Sequence, residues 1–148
     1  MKKYKFRLQT ILNMKEKILE EKMLELSKVL NIYNAEQDKL ANLEKSRIDS
    51  TETLARLYSQ NLVLDISEVQ LHKNYLAKVT TDIRQQHNVL ENIRKLVEIK
   101  QNEVNAALKE KKIFEKLKEK EQNKFYKEVE AKERFEVDDM AISRYVRK

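Results

Sequence analysis

A single seven-residue spacing organises the first part of the chain. Leu12, Leu19, Leu26, Tyr33, Leu40, Arg47 and Leu54 follow one another at that interval, and six of the seven are apolar. A companion series three residues away is weaker: Leu8, Val29, Leu43 and Leu57 alternate with Lys15, Lys22, Glu36 and Ser50. Ile11, Ile18, Met23, Leu30 and Ile32 widen the stripe on its flanks. A strict period of seven sustained over this length predicts a coiled-coil helix, from about residue 5 to residue 58.

The pattern then repeats. Val69, Leu76, Ile83, Leu90, Val97 and Val104 hold the same spacing, joined by Val79, Ile93, Ala107 and Phe114. The strict series lapses at Lys111 and Lys118, and Phe114, Leu117, Phe125 and Val129 carry the stripe onward. The 11-residue step from Phe114 to Phe125 relaxes left-handed supercoiling. This second helix is expected over about residues 67–143.

Between the two lies Tyr58 to Asp65, where charge thins out. Asp65 followed by Glu68 has the spacing of a capping box, and Asn61 suits a left-handed turn position. These signals predict a turn at about residues 59–66; the alternative is a helix running straight through. The turn gives an all-α, long antiparallel two-helix coiled-coil hairpin, with the whole chain a single coiled-coil domain. At 1.5 Å per residue the arms would measure about 80 and 120 Å. Leu54 would then lie near Val69, Leu40 near Ile83 and Leu19 near Val104, leaving a C-terminal overhang from about residue 120. That overhang carries Phe125, Val129, Phe135 and Val137. It is either an interaction site or a segment that frays or bends back.

Composition agrees with few turns. The 148 residues contain no Gly, Pro, Cys or Trp, and Ala, Glu, Lys, Leu and Arg make up about half of the chain. Sandwiches, barrels and nucleotide-binding α/β folds need the turn residues missing here. With no cysteine there is no disulfide framework, thiolate zinc site or Cys nucleophile, as fits a reducing compartment. The longest stretch without a charge, Leu57 to Leu64, is too short for a membrane span. The basic start (Lys2, Lys3, Lys5, Arg7) is followed by no apolar signal core, because Lys15, Glu16 and Lys17 interrupt it.

Charged residues make up 38% of the chain, yet Lys and Arg (31) nearly balance Asp and Glu (25). Along Glu110 to Lys124 the two signs interleave, which reads as a solvated helix surface rather than a nucleic-acid footprint. Catalytic chemistry finds no constellation. His72 and His87 are 15 residues apart, not at helical metal-pair spacing, and a two-stranded coil offers no pocket to shift carboxylate pKa values. The chain reads as a non-enzyme that needs no cofactor and no small-molecule substrate. Within the seam, Arg47 has the position of a register-setting polar residue, or of one whose charged head snorkels to water, as Lys15 and Lys22 do.

The chain ends carry a further pattern. The N-terminus reads Phe6-x-Leu8-x-x-Ile11-Leu12-x-x-Lys15 before a Glu-rich helix. The C-terminal third reads Glu115-Lys116-Leu117-Lys118-Glu119-Lys120, then Phe125, Glu128, Glu133 and Asp138-Asp139-x-Ala141-x-x-Arg144. Together they resemble the FliJ family, the small coiled-coil component of the flagellar type III export apparatus, and the similarity runs end to end. The resemblance implies a hairpin similar to the central stalk of rotary ATPases. It implies as partners the hexameric export ATPase FliI, its regulator FliH, the membrane export gate FlhA and substrate chaperones. The expected location is the cytoplasm, peripherally associated with the inner membrane at the flagellar base. On that likeness Phe6, Leu8, Lys15, Lys116, Lys120, Phe125, Asp138, Asp139 and Arg144 would face the ATPase ring. Tyr75, Val79, Asp82 and Gln86, just past the turn, would face the gate. Other readings are a stalk protein of a virulence secretion system or rotary ATPase, a homodimeric scaffold, and a basic coiled coil binding nucleic acid.

Overall fold

The computed structural model describes residues 3–60 and 65–147. It consists of two helices, α1 (Gln9–Gln60, 52 residues) and α2 (Ile66–Val146, 81 residues). The helices pack against each other as an all-α helical hairpin, with no strand among the described residues. Asn61, expected to shape the turn, lies outside the described residues. Asp65 does cap α2: its Oδ1 accepts the Ser67 N–H at 3.0 Å and its carbonyl accepts the Val69 N–H at 3.1 Å. Glu68 adds an acid to the positive first turn.

The chain divides into two units, Met1–Lys22 with Glu103–Lys148, and Met23–Asn102. In the first, Phe6, Leu12, Leu19 and Ala107 are buried. Lys15 Nζ pairs with Glu110 Oε2 at 2.8 Å, and Lys22 Nζ with Glu103 Oε2 at 3.5 Å. Seven residues forward on α1 correspond to seven backward on α2, so the two helical segments of this unit run antiparallel in heptad step. Both lysines lie along the seam with half-buried stems and paired heads, which is the snorkelling arrangement. The seam also continues past its last apolar heptad position, because Lys111 and Lys118 are half-buried. Lys111 is held at 3.4 Å by Glu115 one turn on.

In the second unit Val29, Leu54 and Val79 form the buried apolar positions, and two polar residues, Ser50 and Gln86, are buried with them. Gln86 Nε2 donates to the Glu36 backbone carbonyl at 2.8 Å and to Glu36 Oε2 at 2.6 Å. Lys100 Nζ meets Glu25 Oε2 at 3.2 Å. Arg47 does not enter the seam; it is exposed, and the small Ser50 takes the buried place nearby. The polar layer that can set register is therefore Gln86–Glu36.

Apolar residues expected to widen the stripe are largely outside it: Met23 and Ile32 are each 54% exposed. Two helices cover only the narrow strip between them, whereas a broader apolar face needs a third layer.

Candidate interaction surfaces

The first unit holds all the residues expected at an ATPase ring. The segment before α1 is not helical: Lys3 to Phe6 has no regular secondary structure, and the Phe6 carbonyl accepts the Gln9 N–H at 3.1 Å to start the helix. Tyr4 lies on α2, its ring 5.5 Å from Phe125 and its hydroxyl 3.5 Å from the Lys118 carbonyl. Phe125 in turn meets Tyr126 edge-on at 5.5 Å. Partial burial, and then the nearby Glu121 carboxylate, hold the Tyr4 phenol above its ordinary pKa. Phe6 is buried and Leu8 half-buried, so both serve packing inside the chain. Lys15 is committed to Glu110. Lys116, Lys120, Asp138, Asp139 and Arg144 are exposed. Beyond Val129 every described residue is exposed, including Phe135, Val137, Met140, Ile142 and Tyr145.

The four residues expected at a gate lie in the second unit and divide by direction. Tyr75 is exposed and Asp82 half-buried, while Val79 and Gln86 are buried between the helices. The reason is periodicity: Val79, Gln86 and Ile93 are successive seven-residue steps of one seam. Tyr75 lines a shallow open groove with Leu71, His72, Asp49, Ser50 and Thr53. Around it the hydroxyls of Thr51, Thr53, Thr80 and Thr81 bond to carbonyls four residues back, a habit that weakens and bends helices slightly.

Two features were not anticipated from the sequence. Gln86–Glu36 is one; the signal was a polar residue in the gap between Val79 and Ile93. The other is a separation of charge on α2. In sequence, Glu110 to Lys127 alternates sign, yet Lys109, Lys112, Lys116, Lys120, Lys124 and Lys127 step by three or four residues. At 3.6 residues per turn they share an arc of about 120°, and all six are exposed. The glutamates fall elsewhere. Glu110 pairs with Lys15, Glu115 with Lys111, Glu121 sits beside Tyr4, and Glu119 falls just outside the arc. Interleaving along the chain thus becomes segregation around the helix.

Among the described residues no cluster of three or more His, Asp or Glu side chains could hold a metal, and no helix is long and apolar enough to cross a membrane. The grooves are open and shallow. Long paired helices that present charged and apolar side chains outward define a coiled-coil interaction protein. The family model described as "Flagellar FliJ protein" matches residues 4–148, and the chain belongs to the FliJ family. It is thereby a component of the flagellar type III export apparatus, in a family without catalytic function. No curated protein and no solved structure matches the chain.

Proposed function

We propose that the protein acts as a stalk that binds the hexameric export ATPase FliI and couples it to the export gate FlhA, with FliH and substrate chaperones as further partners. The observation that carries this reading is the C-terminal part of α2. It runs on past the last residue packed by α1, fully exposed, with Asp138, Asp139 and Arg144 beside Phe135 and Ile142. Such a segment costs solvation of apolar surface unless a partner covers it.

On this reading Lys116, Lys120, Asp138, Asp139 and Arg144 make the ring contacts. Phe6, Leu8 and Phe125 brace the segment from inside, and Lys15 holds the two chain ends in step through Glu110. At the gate, Tyr75 makes the contact and Asp82 borders it. Val79 and Gln86 support that surface from the seam. The protein works in the cytoplasm at the membrane-embedded export machinery.

The test is turnover of the cognate export ATPase with and without the purified protein. Stimulation that D138A/D139A abolishes, with helicity unchanged, is the expected result. No stimulation by the unaltered chain refutes the proposal. A Y75A variant that still stimulates turnover but no longer binds the gate's cytoplasmic portion separates the two contacts.

A further inference from the structure

We infer that the lysine stripe of α2 is a docking surface for an anionic lipid bilayer. Lys109, Lys112, Lys116, Lys120, Lys124 and Lys127 lie in one band along the helix, within the same arc of about 120° and about 27 Å long at 1.5 Å per residue. All six are exposed, and among the described residues no ion pair engages any of them. The glutamates of the same segment are directed to the seam side or lie outside the arc. Ile113 lies within the arc and is 63% exposed, and Leu117 borders it.

The shape and chemistry of the stripe select among anionic partners. A flat surface can touch a one-sided band along its whole length, whereas the phosphates of a duplex wind away from it. The row contains no arginine to read base edges or grip phosphates with a fork, and no aromatic to stack on bases. An acidic protein would need a well-packed anchor, and lysine is depleted from protein interface cores. Lipid headgroups ask for none of this. They attract strongly hydrated lysines in proportion to their number, and the interface accepts an apolar side chain such as Ile113 between them.

The stripe shares Lys116 and Lys120 with the contacts proposed for the ATPase ring, so the test leaves both in place and alters only the four lysines outside that reading. The full-length protein is sedimented with vesicles of phosphatidylcholine alone and of phosphatidylcholine mixed with phosphatidylglycerol. Binding is expected only to the anionic vesicles and should weaken as salt shortens the screening length below about 10 Å. K109Q/K112Q/K124Q/K127Q keeps good helix formers and should lower partitioning about 600-fold at low salt, at roughly fivefold for each of the four lysines. K5Q/K17Q/K28Q/K45Q removes the same charge from exposed positions off the stripe and should leave binding nearly intact. Equal loss in both variants overturns the proposal, as does no binding to anionic vesicles. Stripe-dependent binding to duplex DNA or polyglutamate without vesicle binding overturns it too.

Discussion

Removing the Gln86 side chain tests how the second unit holds its alignment. Gln86 is 4% exposed and both of its amide hydrogens are used on Glu36, one on the carbonyl and one on the carboxylate. A hydrogen bond to a charged group contributes about 1.5–3 kcal/mol and a neutral one about 0.5–1.5 kcal/mol. Glu36 is only half-buried and regains water when Gln86 is lost, so Q86A should cost about 2 kcal/mol rather than the full sum. For a chain of this size that lowers the melting temperature by about 4–8 °C. Q86L returns apolar volume to the seam and should recover about half of the loss. The partnership itself is isolated by a double-mutant cycle with E36A, read from urea unfolding by circular dichroism. The carbonyl bond survives E36A, so the expected coupling is about 1 kcal/mol. A coupling below about 0.3 kcal/mol, or Q86L as damaging as Q86A, would refute the claim that this polar layer is an interaction rather than a tolerated misfit.

Other outcomes follow from the same structure. Two hydrogen bonds from Arg94 depress the Glu91 pKa, so the stability it adds is present above the ordinary carboxylate range and disappears as pH falls through its lowered value. A carboxyl NMR titration should find Glu91 among the lowest-titrating glutamates, and R94Q should return it to the ordinary range. Tyr4 is raised, so its contribution is complete below the ordinary tyrosine value of about 10 and is lost as pH rises through the shifted one. Tyrosinate absorbance should lose its highest-titrating component in Y4F. D65A removes the cap of α2 and should cost about 1 kcal/mol, with faster hydrogen exchange at the Ser67 amide. F125A should release the segment before α1, seen as faster proteolysis at Lys3, Lys5 or Arg7 while the cleavage pattern of residues 23–102 stays unchanged.

Most of the hairpin was legible because a seven-residue apolar period has few other physical meanings. Leu12, Leu19, Leu54 and Val79 are buried as that spacing requires. Legibility failed where a position and its occupant disagree. Arg47 has the right phase, but a seam only one side chain wide lets Ser50 fill the gap and leaves the long cation outside. Gln86 falls among the gate-facing residues through family resemblance alone, although its phase matches Val79 and Ile93. Tyr4 lies before the periodic region, so no pattern could reveal that non-helical residues would pack on α2. The lysine stripe was hidden by reading charge along the chain instead of around the helix. The exposed acids and Arg144 near the C-terminus were visible through family resemblance, not through any periodicity.

The Gln86–Glu36 layer also restricts how this chain can change in length. One residue inserted between Glu36 and the turn would rotate every following side chain of α1 by about 100° and break the layers beyond it. An insertion confined to one arm would shift Glu36 past Gln86 and leave the amide facing apolar neighbours. Growth that preserves every layer must add seven residues to each arm at matching heights. Deletions are bound by the same quantum. Among homologues, length differences between that layer and the turn should therefore occur as paired multiples of seven, while the unpaired C-terminal end is free to vary residue by residue.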